Sequence, residues 1–216
     1  MGRRALRKTD PSLDLSGHLR PLESLPPVCT AQSLFAREAP LEVEVGSGKG
    51  LFLRTAAAAC PERCFLGIEI AAKYARFAAA GLARQGAANA LVVQGDALRL
   101  FAERLADDSL AAVHVYFPDP WWKKRHHKRR LMRPEFVRDM QRVLAPGGDL
   151  HLWTDVEDYF RLSLETLAQA THLAGPFPVA EGPAEHDLDY RTHFERRTRL
   201  QHQQVYRTRF RKPPVA

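Results

Sequence analysis

Between Phe117 and Arg130 the chain reads FPDPWWKKRHHKRR, and each part of that run has a chemical use at a nucleic-acid base. Asp119 stands between Pro118 and Pro120. Proline fixes its own φ and restricts the residue before it, so this carboxylate is predicted to sit in a stiff, extended kink. Trp121 and Trp122 offer flat faces on which a base can stack. Lys123, Lys124, Arg125, Lys128, Arg129 and Arg130 can neutralise phosphates, and His126 and His127 read as further donors on that strip rather than metal ligands. A rigid acid beside aromatics and a cationic strip describes a place where one base of an RNA is held for chemistry. Basic runs are more often solvated faces. Here the run comes directly after the acid, which favours the RNA reading. Trp121 reads equally well as packing or stacking.

A second constellation lies upstream, in Glu44-Val45-Gly46-Ser47-Gly48-Lys49-Gly50. Glycines at such a turn let the backbone bend tightly and approach a ligand. A phosphate-binding P-loop needs Ser or Thr after its Lys, but Lys49 is followed by Gly50. A dinucleotide turn, GxGxxG, would need a third glycine where Leu51 stands. The GxGxG spacing resembles the loop that cradles S-adenosylmethionine in Rossmann-like methyltransferases. In that setting Glu69 can accept both ribose hydroxyls, Asp96 lies by the adenine amino group, and Glu44 meets the methionine ammonium. Acids ending successive strands outweigh the plain alternative of a structural turn with surface acids.

These groups need a scaffold that brings them to one edge. Apolar runs at 41–45, 64–70, 90–96, 110–117 and 149–155 read as strands. Amphipathic stretches at 50–59, 71–84, 133–148 and 156–171 read as helices. Strands alternating with helices imply a parallel sheet covered on both faces. Open sheets of this kind bind ligands beyond the carboxyl ends of their strands. The tail 204–210 alternates, with Tyr206, Thr208 and Phe210 on one face and Val205, Arg207 and Arg209 on the other. It reads as a half-exposed antiparallel strand near an edge. Residues 1–40 are Pro-rich and basic at the start, and read as an extension before a catalytic domain at 41–216.

The run from Phe117 to Arg130 resembles, without a gap, the signature FPDPWxKxRHxKRR of the tRNA (guanine-N7)-methyltransferases. A Thr-x-Phe-Glu element of that family is matched by Thr192-His193-Phe194-Glu195, and Asp155 falls where the family has a functional Asp. The likeness runs from about Leu41 to Arg199. It implies an α/β fold of the Rossmann-like S-adenosylmethionine-dependent methyltransferase type. That is a mostly parallel seven-stranded sheet with an antiparallel C-terminal strand and helices on both faces. It implies that Glu44, Gly46, Gly48, Glu69, Asp96 and Asp119 line the cofactor site, with Asp119 also catalytic. Lys123, Asp155, Thr192, His193, Phe194 and Glu195 would contact the substrate. Arg125, His126, His127, Lys128, Arg129 and Arg130 would meet the tRNA. The implied product is 7-methylguanine at position 46 of the tRNA variable loop. Two other readings compete: methylation of another nucleic acid or a protein, and a non-catalytic RNA-binding subunit. The second predicts damaged cofactor acids, yet all four are present. Trp122, the Pro-rich start and the Arg-rich tail depart from the simple family pattern.

Bulk properties bound the rest. The chain has 216 residues, with 32 Lys and Arg against 25 Asp and Glu, so its net charge is +7. A clustered basic excess suits a polyanionic partner such as tRNA. Cys29, Cys60 and Cys64 have no metal-ligand spacing, and an odd count suits reduced thiols in the cytoplasm. No metal is expected. No apolar run approaches the roughly 20 residues that cross a bilayer, and no apolar stretch comes after the basic start, so neither a membrane span nor a signal peptide is expected. A monomer or homodimer is expected.

Overall fold

The computed structural model describes residue 6, residues 9–121, residue 125 and residues 130–214. Lys123, His126, His127, Lys128 and Arg129 lie outside the described residues, as do Trp122 and Lys124.

Among the described residues, eight strands form one sheet: β1 (Leu19–Pro21), β2 (Leu41–Val45), β3 (Cys64–Glu69), β4 (Ala90–Gln94), β5 (Leu110–Tyr116), β6 (Leu144–Thr154), β7 (Ala174–Pro178) and β8 (Tyr206–Arg211). Their order is β1-β4-β3-β2-β5-β6-β8-β7. The strands from β1 across to β6 pair in parallel, and β8 is antiparallel to both β6 and β7. Among the described residues, seven α-helices accompany them: α1 (Ala31–Phe35), α2 (Leu51–Ala59), α3 (Ala72–Gln85), α4 (Ala97–Arg104), α5 (Pro134–Val143), α6 (Glu157–Ala170) and α7 (His193–Leu200).

The sheet has one strand more than expected. β1 comes from the Pro-rich region, is three residues long and pairs only with β4. The residues just after it hold it in place. Leu22 is fully buried, and a Cβ on Gly95 would lie 2.6 Å from the Leu22 Cβ, so only glycine leaves room there. Leu25, Cys29, Ala31 and Leu34 join the same core.

The central strands are buried on both faces, as parallel strands under helices must be. One core, with Val43, Leu66, Leu91, Phe101 and Phe136, includes side chains of α1, α4 and α5. The other, with Phe52, Phe65, Ala75, Ala78 and Leu82, includes side chains of α2 and α3. In α5, Pro134 opens the helix where its missing N–H costs nothing. Phe136, Val137, Met140 and Val143 form the buried stripe. The helix ends at Val143, not at the glycines. Leu144 already pairs with Leu110, and the register then shifts so that Asp149 faces Ala112. Gly148 permits this, because a Cβ there would lie 2.8 to 3.1 Å from three carbonyl oxygens.

The tail strand is antiparallel and near an edge, as expected. β8 lies inside the sheet, between β6 and β7. Its Arg207 side chain is only 5% exposed, so the arginine-bearing face is covered at that point.

Candidate active site

β4, β3, β2 and β5 are neighbours, and Asp96, Glu69, Glu44 and Asp119 lie at or just past their carboxyl ends. Glu44 is the most constrained. It is 3% exposed, and neither its Oε2 nor the nearby Ser47 Oγ closes a hydrogen bond. Burial pushes its carboxyl well above the ordinary range, and the Glu69 charge adds to that. A buried acid with an unpartnered oxygen is matched to a cationic ligand group such as an ammonium.

The turn after β2 leaves room for that ligand. Gly46 and Ser47 both donate backbone N–H groups to Ile68 O, which anchors the bend. Gly46 has φ +78° and Gly48 φ +54°, a region where side chains are rarely found. A Cβ on Gly46 would meet nothing within 4 Å, so that side of the turn is open. Gly50 serves packing instead. A Cβ there would lie 2.7 Å from the Ala78 Cβ, so the glycine lets α2 approach α3.

Glu69 ties the turn to the next strand. Its Oε2 accepts from Gly48 N at 2.9 Å and its Oε1 from Ala71 N at 2.9 Å. Asp96 caps α4 by accepting from Leu98 N at 2.9 Å. Ile70, directly after Glu69, is 69% exposed and presents an apolar surface at this edge. Nothing in its sequence context singled it out beyond its place after the acid.

β5 ends at Tyr116, three residues before Asp119, so Asp119 lies in the loop and is exposed. Phe117 and Trp121 adopt φ of +52° and +44°, which turns the chain on either side of Pro118-Asp119-Pro120. Backbone strain of this kind is often concentrated at functional sites. Phe117 N donates to Trp153 O, and its ring stacks on Phe194 with centroids 6.0 Å apart. At the far end Arg130 donates to Pro120 O at 2.7 Å and lies over the Tyr159 ring. Arg130 therefore braces the loop. Arg125 is exposed, and Asp155 comes just after β6, half-buried, at the same edge.

α7 brings up the last group. Thr192 caps it by accepting from Glu195 N at 3.0 Å. Phe194 is 40% exposed, with the Arg197 guanidinium 4.5 Å from its ring centroid. Glu195 is buried and accepts from Arg191 N and from Arg207 Nη2 at 3.1 Å. His193 is exposed at its rim, yet partial burial and the cations of Lys49 and Arg54 lower its pKa. α7 thus sets Phe194 against the acceptor loop and His193 within electrostatic reach of Lys49 on the glycine turn.

A family profile described as "Putative methyltransferase" matches residues 38–208. The tRNA (guanine-N(7)-)-methyltransferase of Rhodopirellula baltica is 51% identical, over 98% of this chain and 80% of its own length. The chain belongs to the tRNA (guanine-N7)-methyltransferase family. Its relative of the same name in Alcanivorax borkumensis is 40% identical over 77% of this chain and 70% of that one. Among solved structures, the 16S rRNA methyltransferase KamB superposes with a TM-score of 0.61 at 18% identity, over 85% of this chain and 92% of that one. A SAM-dependent O-methyltransferase from Thermotoga maritima gives 0.53 at 15% identity, over 86% and 64%. These two likenesses show the fold.

Beneath the site of this tRNA (guanine-N7)-methyltransferase family member, the sheet carries a buried polar row. His114 Nε2 lies 2.7 Å from Glu42 Oε2, and its Nδ1 lies 2.9 Å from Tyr116 OH. A neutral His114 that donates from Nε2 and accepts from the tyrosine satisfies both contacts. Arg63 pairs with the other Glu42 oxygen, and His151 stacks on His114 at 4.9 Å. Burial acts to raise the Glu42 pKa, but His114 and Arg63 outweigh it and hold it at about 2. Burial, helped by neighbouring His114, lowers His151 to about 3. Both folded values lie below their ordinary ones, 4.5 and 6.5. The unfolded chain therefore takes up protons first, and stability falls as pH falls. The loss should begin below pH 6.5 through His151 and deepen between 4.5 and 2 through Glu42. Thermal melts across this range check it; a flat melting temperature between neutral pH and the onset of carboxylate titration contradicts the His151 part. Among the described residues no cluster of side chains could hold a metal ion, and no helix is long and apolar enough to cross a membrane.

Proposed function

We propose that the carboxyl edge of β4, β3, β2 and β5 carries the methyl transfer, and that its target is guanine N7 at position 46 of the tRNA variable loop. The observation that carries this reading is the set of four acids on adjacent strand ends around an open glycine turn. S-adenosylmethionine, the methyl donor, supplies an electrophilic methyl on a sulfonium. The residues present fit it. Glu44 meets the ammonium, Glu69 the ribose hydroxyls and Asp96 the adenine amino group, while Ile70 gives the ring an apolar surface.

Guanine N7 has a neutral lone pair, so no residue has to remove a proton before attack. Positive charge then grows on the purine. The Asp119 carboxylate stabilises that charge or accepts from guanine N1–H and the 2-amino group, which are electrostatic and orienting roles. Glu195 is committed to Arg207, so Asp155, half-buried at the same edge, is better placed for the second of these roles. Phe194 offers a face to the base. Lys123 and the strip 125–130 supply cations for the RNA. A guanine held in tRNA tertiary structure must first be exposed. We place the enzyme in the cytoplasm, acting as a monomer or homodimer; its three cysteines are free.

Purified protein, methyl-labelled S-adenosylmethionine and two tRNA transcripts, with guanine or adenine at position 46, test this. Label only in the first, mapping to N7, is the expected result. Label in both sends the target elsewhere in the tRNA. Label in neither, with cofactor binding intact, makes another nucleic acid or a protein the substrate.

A further inference from the structure

Arg54 and Arg84 belong to neither the acceptor loop nor the acids of the cofactor edge. Arg54 lies on α2, four residues past Gly50, and its stem runs across α3. A Cβ on Gly81 would lie 2.8 Å from the Arg54 Cδ, so the missing side chain in mid-helix is what seats this arginine. Glycine inside a helix is destabilising relative to alanine, and here it makes room for a cation. Gln85 locks the crossing by donating from Nε2 to Arg54 O at 3.0 Å. The Arg54 Nε is buried and has no hydrogen-bond partner.

Both arginines line one cavity of about 380 Å³, together with Thr55, Ala58, Gln85 and Leu188. Leu188, 58% exposed, comes from the segment that leads directly into Thr192. The cavity therefore shares a wall with the stretch that carries Thr192 to Glu195. Lys49 and Arg54 also act together on His193. Of the acids nearby, Asp10 is within electrostatic reach of Arg84 but is held by Ser12, and Asp187 is paired with Arg196. Neither Arg54 nor Arg84 forms an ion pair among the described residues.

We propose that this cavity between α2 and α3 binds a backbone phosphate of the tRNA, through residues other than those of the basic run at 125–130. A guanidinium whose stem is fixed and whose Nε is buried loses little freedom on binding, and its planar fork matches a phosphate's oxygens. The inference rests on tRNA being the substrate. It adds a second cationic anchor, which fixes the orientation of the RNA without reading its sequence.

The test uses the full chain and the position-46 guanine transcript. Arg84→Gln, Arg54→Gln and the double variant are compared with the parent for tRNA affinity across a salt series, for S-adenosylmethionine affinity, and for thermal stability. Removing one phosphate interaction should lower the salt slope by about 0.7–0.9. At 0.15 M salt that corresponds to roughly fivefold weaker binding for each variant and on the order of 30-fold for both. Cofactor affinity should not move. Arg54→Gln also removes packing against α3, so Arg84→Glu provides a reading without that complication, because Arg84 is exposed. It should weaken tRNA binding more than Arg84→Gln does, with an unchanged melting temperature. An unchanged salt slope in the double variant, or equal tRNA affinity for Arg84→Glu and the parent, overturns the proposal. A parent that leaves tRNA unlabelled sinks the substrate assignment instead, and the two failures are therefore distinct.

Discussion

Asp119→Asn should lower turnover by roughly 100- to 1000-fold, the effect of removing one well-placed electrostatic group, about 2.7–4 kcal/mol. The substitution keeps the size of the side chain and a hydrogen-bond acceptor but removes the charge. If the carboxylate acts on the cation that develops on guanine, the loss belongs to the chemical step. Single-turnover rates with saturating tRNA and cofactor should then carry the whole effect, and tRNA affinity should change little. The loop supports this expectation. Phe117 and Trp121 hold left-handed backbone angles on either side of two prolines, and Arg130 closes the far end. A carboxylate on so constrained a loop has little reorganisation to do when charge appears. Full turnover in Asp119→Asn would remove Asp119 from the chemistry.

Arg207→Met should cost toward the lower end of about 3–5 kcal/mol, because it leaves the buried Glu195 carboxylate with Arg199 alone, 3.4 Å away, as its cation. The side chains are 5% and 4% exposed. Arg207 also reaches Glu181 at 2.7 Å and lies over the Trp153 ring. For a domain of this size the loss corresponds to a melting temperature lower by on the order of 10 °C. The pair ties α7 to β8, so tRNA turnover should fall with stability. Glu195→Met combined with Arg207→Met should recover most of the loss, since what costs is the stranded charge rather than the missing pair. Thermal melts of the two single variants and the double complete the cycle. If the double variant is as unstable as the sum of the singles, the two side chains act independently and the buried pair is not what holds α7.

The strand ends and the glycine turn were legible because apolar runs bounded by acids and glycines have few other uses. Leu41 to Val45, Cys64 to Glu69 and Ala90 to Gln94 lie where the runs place them, within a residue or two. What escaped was set by contacts distant in sequence. Leu19–Pro21 has no strand pattern of its own and is held by β4 and the niche at Gly95. Ala174–Pro178, with two prolines in five residues, pairs because β8 presents an edge. Alternation in the tail separates Arg207 from Thr208 and Phe210, but its burial comes from groups distant in sequence, Glu181, Glu195 and Trp153. Glu195 sits in a motif whose likeness points to substrate, while its surroundings give it a buried cation. The cavity of Arg54 and Arg84 depends on a glycine that reads, in sequence, as an ordinary residue of an Ala-rich helix.

Both outer strands bear on how copies of the chain can meet. β1 is three residues long and ends in Pro21, and β7 contains Pro176 and Pro178. Proline offers no N–H to a ladder, and short proline-bearing borders are a recognised protection against unwanted association. Neither border is suited to accept a strand from a neighbouring molecule. Two copies of this protein would have to meet through helices and loops rather than by continuing one sheet. The same closure guards an apolar sheet against fibrous aggregation at high concentration.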